Sequence, residues 1–294
     1  MIVKILGAGA GGGLPQWNCG CPNCRDAREG KLPSMTQSSV AVSADEEDWV
    51  VLNASPDIRA QLAATPALYP PGLRGSPIKA VVLTNGDVDH IAGLLTLRER
   101  TPFNVLATAD IHGILHENSV FGVLAKDVVT NHTIVLDETF EIAGLSILPF
   151  AVPGKVALYK EGEIVDTNAM GDQTIGLRID ANGRRLYYIP GCAALPDWLV
   201  EKLADADALL FDGTVWEDDD MARSGTGDKT GTRMGHLPMS GPTGSLERLK
   251  GLGGTKMFIH INNTNPVLQP DGPERAAIMA AGWTQAQDGM ELSP

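Results

Sequence analysis

Apolar positions in this chain come in short runs, most of them the length of one strand. Met1–Leu6 alternates weakly and stops at glycine, which predicts a first strand. Ser38–Ser43 and Trp49–Leu52 flank the polar stretch Asp45–Asp48 and predict a hairpin. In the helix predicted for ASPDIRAQLAA, Ser55 is the N-cap, Pro56 the first helical residue, and Asp57 faces the positive end of the dipole. Ile78–Thr84 is a strand of the buried type, with a helix expected over HIAGLLTLRER, and FNVLATADIHGILHEN reads as strand then helix. Further strands are predicted at Ser146–Pro149, Thr174–Ile179, Leu186–Ile189, Ala208–Asp212 and Lys256–His260. Helices are predicted at Pro196–Ala204, Gly244–Leu249 and Pro273–Ala281. Hairpins come early and strand–helix units later. Two sheets covered outside by helices satisfy this order, and so does one parallel sheet.

No linker, charge block or solenoid repeat divides the 294 residues, so a single domain over 1–294 is expected. No stretch has the pattern of a cleaved leader or the roughly 20 apolar residues of a spanning helix. The expected location is therefore cytoplasmic, without membrane insertion. The formal charge of −13 disfavours binding along a nucleic-acid backbone.

Gly7, Gly9 and Gly12 form a GxGxxG match. A dinucleotide site needs a helix directly after the glycines and an acidic residue about 20 positions on. Here Gly13, Leu14 and Pro15 follow, so that reading is set aside. Two readings remain: a tight turn with close backbone packing, or a loop lining a site. Cys19, Cys21 and Cys24 come next, placing three thiols on one tight turn, and predict a structural zinc knuckle over 19–24. The fourth ligand is open, with His112 and His116 as candidates. Cys192 reads as a small buried apolar residue.

The stretch LTNGDVDHIAGL crowds Asn85, Asp87, Asp89 and His90 between a buried strand and a helix. Buried charges need partners, and a metal would supply one. Asp212 ends a later apolar run, as does His260, which Asn262 and Asn263 follow; His236 lies in a loop between these two runs. Carboxylate with imidazole suits iron, manganese or zinc, close to two histidines and one carboxylate with open positions.

LGAGAGGGLPQWNCGCPNC, LTNGDVDHIAGLL, FDGTVWEDDDM, TGTRMGHLPMSG and IHINNTNP together resemble the metallo-β-lactamase superfamily, and within it the B-type proteins of pyrroloquinoline quinone (PQQ) biosynthesis. The resemblance implies an α+β fold, a four-layer αββα sandwich. It maps Asp89 and His90 onto the end of an HxHxDH signature, with Asn85 and Asp87 standing where histidines would be. It makes Asp212 the bridging aspartate and His260 the final ligand. It likens His236 to a histidine kept beside the scissile phosphate in related phosphodiesterases.

The surviving set, Asp89, His90, Asp212 and His260, implies one Fe(II), with manganese or zinc as alternatives, and structural zinc at the cysteines. His236 and Asp87 are the expected catalytic side chains. The implied role is in PQQ biosynthesis, as an oxygenase hydroxylating a tyrosine-derived Glu–Tyr substrate with O2. The alternatives are a non-catalytic carrier of PQQ or its precursor, and a metal-dependent hydrolase. Other PQQ biosynthesis proteins are the implied partners.

Overall fold

The computed structural model describes residues 1–294. Its strands form two seven-stranded sheets. The first contains β1 (Ile2–Gly7), β2 (Ser39–Ser43), β3 (Trp49–Leu52), β4 (Ile78–Val82), β5 (Phe103–Ala107) and β6 (Val129–Thr133). The second contains β7 (Phe140–Ile142), β8 (Leu145–Ala151), β9 (Ile175–Ala181), β10 (Arg184–Ile189), β11 (Ala208–Asp212), β12 (Thr255–Ile259) and β13 (Trp283–Gln285). The last strand, β14 (Glu291–Leu292), returns to the first sheet beside β1.

The helices are α1 (Pro22–Arg28), α2 (Ile58–Ala64), α3 (Val88–Ile91), α4 (Ala109–Glu117), α5 (Asp197–Lys202), α6 (Asp220–Arg223), α7 (Gly231–Met234), α8 (Ser245–Arg248) and α9 (Pro273–Ala280).

Both sheets are mixed for a reason visible in the chain. The tight turn after Ser43 makes β2 and β3 antiparallel. The longer connections that follow make β3 through β6 parallel, and likewise β10 through β13. Burial on both faces explains the near-continuous apolar runs. In β3, Val50 and Leu52 join the large core shared with the second sheet. Trp49 and Val51 face the opposite way, against Ile58 of α2 and Ile111 of α4. On the far side of the second sheet, Leu199 of α5 and Ile278 of α9 complete the large core. The order is helices, sheet, sheet, helices, which is the αββα sandwich. No helix is long and apolar enough to cross a membrane.

Several local expectations are corrected. Helix α2 starts at Ile58, not at Pro56. Ser55 Oγ accepts from Asp57 N at 3.2 Å, and the Asp57 carboxylate accepts from the backbone and side chain of Gln37. The first residues therefore form a turn whose acid ties down a neighbouring loop. The helix expected over HIAGLLTLRER shrinks to α3 and one 3-10 turn, Ala92–Leu95. Gly93 presses its backbone against the 54–55 turn: its N–H donates to Ala54 O at 2.8 Å, and a Cβ there would lie 2.2 Å from Ser55 O. The three thiols do not share one turn, because Pro22 starts α1 and carries Cys24 into the helix.

Gly93→Ala is expected to cost roughly 3 kcal/mol, since the new methyl group meets backbone that cannot yield. Chemical denaturation of the variant against wild type measures the loss.

Candidate metal centre

The predicted residues gather where strands end. Asp87, Asp89 and His90 follow β4, Asp212 ends β11, and His260 follows β12. His236 arrives on the loop after α7. The metal-competent atoms form two overlapping triads: Asp89, His90 and His260 in one, Asp212, His236 and His260 in the other. His260 belongs to both. Its φ of +55° puts it in the left-handed region, an uncommon conformation for histidine.

Thr214 holds this arrangement, and sequence reasoning missed it. Its hydroxyl donates to Asp212 Oδ1 at 2.6 Å and lies 2.8 Å from His260 Nδ1 and 3.1 Å from His236 Nδ1. Asp212 is fully buried; it also accepts from Cys192 N, Thr214 N and His236 Nδ1, the last at 2.7 Å. Burial alone would raise its pKa, but His236 and these donors hold the carboxyl below the ordinary range.

With Nδ1–H of His260 directed to Thr214, Nε2 faces Asp89 Oδ2 at 3.1 Å. A neutral imidazole then points a lone pair at a carboxylate oxygen, and two acceptors at that distance need a proton or a cation between them. In the metal-free state the proton serves: burial lowers the His260 pKa, but Asp89 more than reverses this and raises it. Asp89, for its part, is pushed up by burial and brought below its usual range by His90 and His260. His90 is 1% exposed, and neither ring nitrogen has a hydrogen-bond partner. A buried imidazole without partners is expensive unless something else binds it. The donor set therefore fits a metal ion, which His90, Asp89 and His260 would hold.

The remaining expected residues sit differently. Asn85 Oδ1 accepts from Asp87 N at 2.9 Å and shapes the loop. Asp87 precedes α3, but its carboxylate accepts from Leu158 N at 3.2 Å instead of capping that helix. Burial and the charge of Asp89 raise its pKa. Asp87 joins no metal-competent group. Of the two readings of the glycine stretch, both hold. A Cβ on Gly7 would lie 2.1 Å from Gln37 O, and Gly11 lies against the Asp89 carboxylate.

The centre opens into a cavity of about 240 Å³ bordered by Lys155, Glu161, Lys229 and Arg233. Residues 155–161 cross its wall, held by the Leu158 contact and by Tyr159 OH donating to Gly86 O. Glu161 pairs with Arg233 through both oxygens, at 3.2 and 2.7 Å, and with Lys155 Nζ at 3.0 Å. These bonds, led by Arg233, hold its carboxyl down at about 2.

Cys19, Cys21 and Cys24 converge as the second metal-competent cluster. His112 and His116 do not reach it: they stack on each other on α4, and His112 Nε2 contacts His132 O at 3.0 Å. The side chain facing the thiols is Asn263, whose Nδ2 is 3.1, 3.6 and 3.3 Å from Cys19, Cys21 and Cys24 Sγ. Burial pushes the Cys21 thiol up to about 12, so metal binding there must displace protons. Cys192 is fully buried, as expected.

The profile of the Beta-lactamase superfamily domain matches residues 48–261. The chain is 57% identical over 293 residues to coenzyme PQQ synthesis protein B of Ruegeria pomeroyi, covering 99% of each chain. It superimposes on the crystal structure of Zn(2+)-bound PqqB from Methylobacterium extorquens with a TM-score of 0.98, at 55% identity and full coverage of both chains. A diphosphatase of the PhnP family, 22% identical with a TM-score of 0.70, covers 99% of this chain and 96% of its own and shares the fold.

Burial disfavours the His90 imidazolium and pushes its pKa down to about 4 from 6.5. The unfolded chain takes up this proton near pH 6.5, the native chain only near 4. The contribution of His90 to stability is thus full above 6.5 and is lost as pH falls toward 4. His260 acts with the opposite sign, because its pKa is raised. The metal-stripped protein is expected to melt at lower temperature as pH falls through this window. The slope should flatten in His90→Gln, as thermal scans at successive pH values will show.

Proposed function

Because this chain belongs to the family of coenzyme PQQ synthesis protein B, within the beta-lactamase superfamily, we propose that it serves PQQ biosynthesis as a mononuclear iron-dependent hydroxylase of a tyrosine-derived Glu–Tyr substrate. The observation that carries this reading is the unpartnered His90 imidazole beside the Asp89–His260 acceptor pair. Two histidines and a carboxylate suit a single ferrous ion with open positions. Bound there, iron would supply O2 activation for ring hydroxylation. A two-metal hydrolase is disfavoured: Asn85 is engaged by its own loop, and Asp87 by Leu158 N.

The protein's own groups have separate tasks. Thr214 fixes the His260 tautomer and leaves Nε2 facing the metal position. Asp212 holds Nδ1–H of His236, leaving Nε2 to orient the phenol or take its proton. Asp87 acts through Leu158 N, setting the 155–161 segment beside the substrate. The cysteine cluster is a structural zinc site. Asn263 is the side chain that faces all three thiols, and with its amide turned to present Oδ1 it would be the fourth ligand. The cationic cavity border also suits a non-catalytic carrier of PQQ or its precursor, which would need no iron.

The test is metal content, element by element, after anaerobic loading with Fe(II). Wild type should hold a single iron and a single zinc per chain. A His90→Ala, His260→Ala double variant should lose the iron and keep the zinc, and only the iron-loaded wild type, supplied with O2 and an external two-electron reductant, should add one oxygen atom to Glu–Tyr, the second oxygen atom leaving as water. Zinc alone, unchanged by the double variant, overturns the hydroxylase and favours the carrier. Thr214→Val should weaken iron affinity by roughly 10–100-fold with the fold intact. Asn263→Ala should shorten zinc retention against a chelator by about tenfold or more, and unchanged retention removes Asn263 from the site.

A further inference from the structure

The chain carries a net charge of −13, yet the outer border of its metal-centre cavity gathers Lys155, Lys229 and Arg233 around one carboxylate, Glu161. Surface cations in an acidic protein ordinarily find acidic partners. Here Lys229 is exposed and makes no ion pair. Lys155 and Arg233 share Glu161, and the other two carboxylates of the lining, Asp87 and Asp89, lie toward the metal centre, so with a divalent ion held beside Asp89 the lining carries a net positive charge. Clustered charge in a recess attracts counter-charge more strongly than the same charge on open surface.

These cations are built into place. The stem of Lys155 lies along Gly235, whose φ is +87° and where a Cβ would be 3.1 Å from Lys155 Cγ. Arg233 is on α7, whose first turn Thr230 caps by accepting from Arg233 N. The Glu161 side chain is only 7% exposed, and its two oxygens tie Lys155 and Arg233 together. The chain itself thus shows a carboxylate seated on this pair. Donors remain: Lys155 Nζ has three protons and contacts only Val156 O and Glu161, and the Arg233 fork has N–H groups beyond the two that Glu161 takes.

We infer that Lys155, Arg233 and Lys229 form the recognition site for the carboxylates of a small polyanionic substrate, with Glu161 as the yoke that sets Lys155 and Arg233. The metal centre below would then meet the uncharged, reacting end of the molecule. This assignment deepens the proposed function, since a Glu–Tyr unit carries two carboxylates, and rests on it for the identity of the ring.

The experiment is equilibrium binding to the metal-loaded full chain under nitrogen, where no turnover occurs. The probes are Glu–Tyr, its doubly amidated form Gln–Tyr amide, glutarate and inorganic phosphate. Wild type should prefer Glu–Tyr over the diamide by about tenfold or more, and Arg233→Gln and Lys229→Gln should each reduce that preference by a similar factor. Lys229 is exposed and unpaired, so thermal unfolding of Lys229→Gln should match wild type and this variant alone suffices for the test, whereas Arg233→Gln also gives up the Glu161 pair. Variants that keep the preference, or that weaken both forms equally, overturn the assignment. Phosphate binding tighter than glutarate also overturns it. Wild type that binds glutarate in an Arg233- and Lys229-dependent way, but not Glu–Tyr, upholds the carboxylate site and sinks the substrate reading. Binding of neither glutarate nor Glu–Tyr overturns the site.

Discussion

The buried carboxylate of Asp212 is the constraint on which the centre depends. A fully buried charge is tolerated only when its acceptor sites are filled. Asp212 fills them from three directions: Cys192 N after β10, Thr214 just beyond β11, and His236 from the loop after α7. Satisfying one charge therefore fixes the relative positions of three loops. Thr214 extends the constraint to His260, and His260 to Asp89, so the two triads become one continuous polar network across both sheets.

That network needs the sheets held in register, and two devices outside it do this. Gly9 bridges to Gln37 on the side of the first sheet and to Ile261 on the side of the second. Asn53, buried at the end of β3 with φ of +61°, donates to Thr84 Oγ1 and to the Tyr188 hydroxyl of β10. Asn263 lies three residues beyond His260 on the same loop. The loop that presents the shared histidine is thereby also tied to the three thiols, through Asn263 Nδ2.

Much of this was legible in the chain. Strands buried on both faces announced themselves as apolar runs, and Asp89, His90, Asp212 and His260 stood out because each polar group interrupted such a run at its end. Other features are silent at that level. Thr214 looks like any threonine after a glycine turn; its role exists only where three distant loops meet. Lys155, Glu161 and Arg233 are separated by up to 78 positions and look like ordinary surface charges. Helix α1 is masked by the metal-like spacing of its cysteines, although Pro22 already marks a first helical turn. Sequence leaves the fourth position at the cysteine cluster open, with His112 and His116 as candidates. The fold instead brought an amide, since His112 and His116 belong to the opposite face of the first sheet.

The glycine loop also sets a timetable. Its backbone touches Asp89, and it is held from the other end of the chain: Asp288 accepts from Ala8 N and from both the backbone and hydroxyl of Thr36, while β14 closes on β1. A ribosome makes residues 8–12 well before residue 288, with both sheets up to β13 in between. During synthesis the cavity wall lacks its anchor until Asp288 has emerged, so the centre closes only after the strands of both sheets up to β13 have been made. Any ion that Asp89, His90 and His260 hold is then captured only after residue 288 has left the ribosome.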